Sequence, residues 1–420
     1  MSILSPRERI ASVFPAALLP LWAVVALLPF GRAAEFGVLL CIAAGIAGFA
    51  RGTAERPDRE GLRRFAVLWL CYAAAAALSA VDAVNPAKSW GTVAASLRFL
   101  PLGAYALVAA ATPLRHGQLR DGIAVVVAVW LFDAWVQALT GWSLGGAPEA
   151  ERLSGLFGAD NLKLGPVLAT LSPFLLLAVR QRWGRVGLSL AFGFALVPVL
   201  LAGSRASWLA LGLVALVLLW CETRKPLRFA AALAVLSLVM GTAVAVAWRS
   251  SDAFDARMQR TLEAFDGTRH ELDFALAGRA RIWETAGAMI VAHPVNGIGV
   301  RGFRYAYADY AAPGDAFVQR DGSGAAHAHQ WVLEVLSETG TVGLALWLAG
   351  IVVAVRAWRR ANAVQRAAAF APGLALVAMG FPLNTHLAFY SAWWGLLFWW
   401  LIALYCAALA AEAPEETPHA

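Results

Sequence analysis

KLGPVLATLSPFLLLAVRQRWGRVGLSLAFGFALVPVLLAGSRASWLALGLVALVLLWCETRKPLR, residues 163–228, decides the fold class. It holds three apolar runs, near 163–180, 187–203 and 206–221. Each approaches the roughly 20 residues that a helix needs to cross the hydrocarbon core of a bilayer. The links alternate in charge. The first carries Arg180, Arg182 and Arg185, the second only Arg205, the third Arg224, Lys225 and Arg228. Cations gathered in every other link are the mark of the positive-inside rule.

The same pattern extends in both directions. Apolar runs near 11–30, 34–50, 65–84, 91–111 and 121–141 come before this stretch, and runs near 229–248, 340–356, 367–385 and 388–410 follow it. The chain therefore reads as an all-α polytopic membrane protein with about twelve transmembrane helices. Arg51, Arg56, Arg59, Arg63 and Arg64, then Arg115 and Arg120, then Arg356, Arg359, Arg360 and Arg366 fall on the same side as the basic links already quoted. The opposite links hold only Arg32, Lys88, Arg152, Lys163 and Arg205. Both termini are then expected in the cytoplasm of a bacterial inner membrane. The run Ser12 to Phe30 exceeds the apolar core of a secretory signal, so it is expected to be the first span.

Composition agrees. The chain is 60% hydrophobic and 15% charged, more apolar surface than one soluble core can hide. The net charge of +7 is distributed through links rather than packed into a dense basic run, which argues against a nucleic-acid partner and for membrane lipids. Cys41, Cys71, Cys221 and Cys406 lie in or beside apolar runs. They form neither a disulfide framework nor a metal site, and read as small hydrophobes.

One segment breaks the rhythm. Residues 249–339 form a single large loop, expected on the periplasmic side between helices 1–9 (1–248) and helices 10–12 with a cytoplasmic tail (340–420). Connections this long are functional or disordered. Phe254, Phe265, Phe274, Trp283, Phe303, Tyr305, Tyr307 and Tyr310 argue for order, as short helices over the membrane face.

The residues able to carry chemistry gather on that side. Gly203-Ser204-Arg205 separates two spans. Gly278-Arg279-Ala280-Arg281-Ile282-Trp283 presents two guanidinium groups after a glycine, suited to two-pronged recognition of phosphate. His293-Pro294 and Gly297-Ile298-Gly299 then form a turn. His327-Ala328-His329-Gln330 precedes a helical pattern from Trp331, and an imidazole there can accept a proton near neutral pH. The i, i+2 spacing of His327 and His329 and the absence of partner cysteines argue against zinc. Glu334 and Glu338 do not fall on the His329 face. Arg152 or Lys163 can add charge from the link 152–165. Asp82, Arg98 and Asp133, placed within or beside spans, need partners or a cavity.

In order along the chain these motifs are R-L-S-G-L-F-G and N-L-K-L-G (152–165), S-R (204–205), G-R-x-R-I-W (278–283), H-P-x-x-G-I-G-x-x-x-F (293–303) and H-x-H-Q with G-x-x-G (327–343). The set resembles the O-antigen ligase and polymerase superfamily. His329-Gln330 followed after nine residues by Gly340-Thr341-Val342-Gly343 is similar to the ligase pattern. The extra His327 departs from it.

The resemblance implies a GT-C-like fold and an inverting, metal-independent glycosyltransferase with no cofactor. The donor would be undecaprenyl-pyrophosphate-linked O-antigen and the acceptor lipid A–core, joined at the periplasmic face in lipopolysaccharide biosynthesis. Carried over by motif, His329 would be the general base, and Arg205 and Arg279, with Arg281, would bind pyrophosphate. His327 and Arg152 are possible supports. An O-antigen polymerase or a protein O-oligosaccharyltransferase of the same superfamily is the alternative. So is a transporter or flippase, although its polar residues should lie near the midplane rather than at one face.

Overall fold

The computed structural model describes residues 15–53, 56–146, 152–159, 161–250, 252–263, 278–385 and 387–411. Phe265 and Phe274, and the chain tail past Ala411, lie outside them. Every regular element among the described residues is helical: α1 (Ala16–Ala26), α2 (Ala34–Ala50), α3 (Arg59–Ser79), α4 (Pro86–Ala109), α5 (Pro113–Thr140), α6 (Leu164–Leu201), α7 (Arg205–Thr223), α8 (Pro226–Ser250), α9 (Asp252–Glu263), α10 (Arg279–Ala292), α11 (Phe303–Tyr310), α12 (Trp331–Arg360), α13 (Ala363–Met379) and α14 (Ala392–Ala410). Nine candidate membrane helices among the described residues are long and apolar enough to cross a bilayer, and α1 and α13 are shorter apolar helices. The chain is a multi-pass, all-α membrane protein.

Two of the long helices are folded back on themselves. In α6 the backbone leaves helical geometry at Gly184 (φ 66°, ψ −155°). A methyl group added to Gly165, near the start of the helix, would lie 3.0 Å from the side chain of Ala202 just after its end. The two ends meet, so α6 is a hairpin of two apolar arms, matching the separate runs 163–180 and 187–203. In α12 the same happens at Gly340 (φ 65°, ψ −167°). The rings of Trp331 and Trp347 are 4.0 Å apart, which a straight helix rising about 1.5 Å per residue forbids. The first arm, 331–339, therefore lies back along the second.

These positive-φ turns need glycine, and Gly340 also lets another segment in close. Its added Cβ would collide with the Val295 carbonyl, and one on Gly297 with Glu338 backbone. The bend exposes backbone groups that the turn 294–299 then satisfies. Ile298 and Gly299 N–H donate to the Ser337 and Glu338 carbonyls (2.9 and 3.0 Å). Thr341 and Val342 N–H donate to those of Pro294 and Val295 (2.9 and 3.1 Å). Both glycine motifs are thus one docking joint.

The core lies around α14, most of whose residues are buried, whereas α8 faces outward. Trp399 of α14 packs edge-on against Phe65 and Tyr72 of α3, and Trp400 donates its indole N–H to the Leu21 carbonyl of α1 (3.1 Å). A buried indole that finds such an acceptor avoids the cost of an unpaired donor.

The links sort by end. At one end Arg180 and Arg185 grip Glu222 (2.7 and 2.9 Å), and Arg182 reaches Asp121 (3.2 Å). At the other, Asn296 donates to Asp82 (2.6 Å), Val84 N–H to the Ile298 carbonyl, and Leu153 N–H to that of Leu201. The large loop sits at this second end and has its own small core of Ile282, Met289, Ile298, Phe303 and Tyr307. Phe254 is buried too, stacked on Trp208.

Candidate functional site

Three of the sequence motifs do the same local job: each starts a helix at the loop end of the bundle. Ser204 caps α7 through its side chain, which accepts from Ser207 N–H, and Arg205 is the first helical residue. Gly278 (φ 76°) precedes α10 with no side-chain cap, and Arg279 is its first residue. Gln330 caps α12, its Oε1 accepting from Leu333 N–H (2.7 Å), with His329 one residue ahead. Helix N-termini carry unsatisfied N–H groups and a partial positive charge, so they favour anions. Arginines at two such positions concentrate positive charge well beyond what a helix dipole supplies.

Arg279 is the common member. Burial, then the charges of Arg205 and Arg152, pushes its guanidinium down to about 10. Three cations that act on one another in this way give the site a positive field that favours an anion. Arg279 also acts on both histidines. Burial first, then His327 and Arg279, pushes His329 down to about 3, while burial followed by Arg301 and Arg279 pushes His327 down to about 4. Both imidazoles are neutral at physiological pH.

The tautomer of His329 follows from its neighbours. Its Nδ1 is 3.1 Å from the Thr385 carbonyl, which can only accept, so Nδ1 carries the proton and Nε2 keeps a lone pair. His327 Nδ1 accepts from the backbone N–H of His329 (3.1 Å), and the two rings lie 4.0 Å apart. His329 has φ 53°, an uncommon conformation for a residue with a side chain. Trp283 of α10 closes the group by donating to the Ala328 carbonyl (3.1 Å).

An apolar cavity of about 550 Å³ lies between α3, α7, α12, α13 and α14, lined by residues such as Tyr72, Leu213, Trp347, Phe370 and Trp399. Its rim includes Phe381 and Pro382. The Pro382 carbonyl accepts from Gln330 Nε2 (3.3 Å), and Thr385, on the same loop, holds His329. Charged and apolar halves therefore share one edge.

Of the residues expected from the sequence, Arg205, Arg279, Arg152, His327 and His329 come together. Arg281 is exposed on α10, and its charge acts on Tyr307 beside Asp315. Asp82, Arg98 and Asp133 find partners elsewhere. Asp82 takes Asn296, Arg98 pairs with Glu35 (2.9 Å), and Asp133 accepts from Leu144 N–H (2.9 Å).

Arg301 escaped the sequence reading, and Glu334 and Glu338 were set aside there as lying off the His329 face. Glu338, fully buried, accepts from the N–H groups of Arg301 (2.7 Å) and Phe303 (3.3 Å). Glu334, also buried, accepts from Tyr390 N–H (3.2 Å), and its other oxygen lies 3.4 Å from His327 Nδ1. Glu334 thus meets His327 rather than His329. Arg301 (φ 61°) places its charge near His327 and both glutamates. Only the doubling of acids at 334 and 338 in an apolar helix hinted at buried work.

Residues 190–348, which include Arg205, Arg279, His327 and His329, match the family described as O-antigen ligase. No curated protein matches the chain. Over that stretch, a little over a third of its length, the chain is similar to the O-antigen ligase family, and the match supports the wider ligase and polymerase superfamily.

Proposed function

With that similarity as premise, we propose that the protein is an O-antigen ligase of the bacterial inner membrane. It moves O-antigen polysaccharide from undecaprenyl pyrophosphate onto a sugar hydroxyl of lipid A–core at the periplasmic face, inverting the anomeric carbon. The observation that carries this reading is the single edge shared by an arginine cluster, a neutral histidine and an apolar cavity.

Each part has a task. The polyprenyl chain lies in the apolar cavity, whose lining replaces the lipid tails around it with fixed van der Waals contacts. The pyrophosphate sits on Arg279, Arg205 and Arg152 and on the N-termini of α7 and α10, which hold the charge that grows as the anomeric C–O bond breaks. The acceptor hydroxyl gives its proton to His329 Nε2 while its oxygen attacks. The Thr385 carbonyl keeps the other proton on Nδ1 and fixes the ring. Pyrophosphate is already a good leaving group, so no nucleotide is consumed.

Donor binding and base strength are coupled. The bare cluster weakens His329 as a base through Arg279. A bound pyrophosphate offsets that field and raises the affinity of Nε2 for a proton. The base then becomes competent when the donor is in place.

The test is expression in a host that lacks its own ligase. A restored ladder of long chains on lipid A–core supports the reading. Bare core in that host, with rescue of a polymerase-deficient host instead, would assign the chain to repeat-unit polymerisation and overturn it.

A further inference from the structure

His329 has two different surroundings. One is the charge of Arg279, itself coupled to those of Arg205 and Arg152. The other is a cleft of about 600 Å³, within the usual range for small-molecule sites, lined by both histidines together with Asn161, Lys163 and Trp394. Among the described residues no arginine lines that cleft. The lining is mixed: beside the histidines it holds an indole, an amide and an ammonium, together with Leu162 and residues 157–159.

In a displacement with inversion the entering oxygen and the leaving pyrophosphate lie on opposite sides of the anomeric carbon. The base must touch the entering hydroxyl, and the leaving group must lie on the cations. The arginine side therefore belongs to the donor, and the cleft on the same imidazole belongs to the acceptor. The polar groups there are ready for a ligand. Neither Asn161 nor Lys163 makes a side-chain hydrogen bond to another described residue. The Lys163 ammonium is only stacked over the Trp393 ring, 4.5 Å from its centroid.

We propose that this cleft is the acceptor subsite, and that Lys163 and Asn161 select a sugar bearing an anionic group, phosphate or carboxylate, beside the reacting hydroxyl. Trp394 packs against the C–H face of that sugar. The assignment rests on the ligase reading and adds to it which substrate lies on which side of His329. The link 152–165 then serves both substrates, with Arg152 toward the donor and Lys163 toward the acceptor.

The experiment is steady-state transfer in nanodiscs, with purified undecaprenyl-pyrophosphate-linked glycan and lipid A–core varied in turn. Lys163→Met and Asn161→Ala are each expected to raise the KM for lipid A–core about tenfold, the scale of one charge-assisted hydrogen bond. The donor KM stays within twofold, and Lys163→Arg recovers most of the loss. A parallel arm uses lipid A–core dephosphorylated with hydrofluoric acid. If Lys163→Met costs nothing further on that acceptor, the anion is phosphate; if the loss persists, it is carboxylate. Asn161→Ala carries the test if Lys163→Met does not accumulate. An increase in donor KM, or two unchanged KM values in folded variants, overturns the assignment while leaving the ligase reading intact. A wild-type chain that transfers nothing to lipid A–core overturns both.

Discussion

Acidification of the reaction medium tests the electrostatics of the site. Burial, His327 and Arg279 hold His329 near about 3, against 6.5 for an ordinary imidazole. At pH 5 an ordinary histidine would be only about 3% neutral, and a rate that needs the free base would fall about 30-fold from its plateau. A histidine at about 3 is almost wholly neutral at pH 5, so kcat/KM for the donor should stay within twofold of its value at pH 7. This ratio reports the free enzyme, whereas kcat reports the complex. With pyrophosphate beside the ring, the acid limb of kcat should lie higher than that of kcat/KM. Arg279→Gln should move the acid limb of kcat/KM upward, since one source of the depression is gone.

Stability runs the other way. His327 and His329 bind protons less readily in the folded chain than in the unfolded chain, so their contribution to stability falls as pH drops below 6.5. The loss is about 1.4 kcal/mol per pH unit for each, until their folded values near about 4 and about 3 are reached. Initial rates in nanodiscs between pH 4.5 and 8, normalised to the folded fraction by tryptophan fluorescence, separate the two effects. A normalised kcat/KM that falls about 30-fold by pH 5, with a midpoint near 6.5, would refute the reasoning.

Other perturbations follow from the same geometry. Arg279→Ala and Arg205→Ala should each lower kcat/KM for the donor by about 10²–10³, and Arg279→Lys should recover little because a point charge cannot replace a fork of donors; equal rates in the lysine variant would argue for simple charge. Gly340→Ala forces a side chain into a positive-φ, extended-ψ conformation that glycine alone adopts readily, at about 1–3 kcal/mol, and drives its Cβ at the Val295 carbonyl. Its thermal midpoint in nanodiscs should drop by several degrees, and an unchanged midpoint would contradict the joint at 294–299. Glu338→Ala strips two buried N–H groups of their acceptor, at about 1–3 kcal/mol each, whereas Glu338→Gln keeps an acceptor oxygen and should be milder on the same measure.

The membrane architecture was legible because a bilayer imposes a length and a charge rule on every span. The alternate links sit at opposite ends of the bundle, as Arg180 with Glu222 and Asp82 with Asn296 show. Hydropathy has no view of a φ angle, however. The doubling back at Gly340, the first residue of the run 340–356, was not visible, nor were the contacts that bring Arg301, Glu334 and Glu338 to the histidines. Among the site residues, Arg205 and Arg279 could be seen because a small or capping residue precedes each. Arg281 shared the motif but not the face, since residues two apart on a helix point to different sides. Lys163 stood in plain view in its link, yet only the cleft beside His329 distinguishes it from a solvated lysine.

The most direct test of the central claim is single-turnover transfer of glycan from purified undecaprenyl pyrophosphate to lipid A–core in nanodiscs, comparing the wild type with His329→Ala. The account predicts that the wild type forms the glycan–lipid A–core product, and that His329→Ala still binds the donor with near-normal affinity but forms product at least a hundredfold more slowly. Transfer by His329→Ala at the wild-type rate would contradict it.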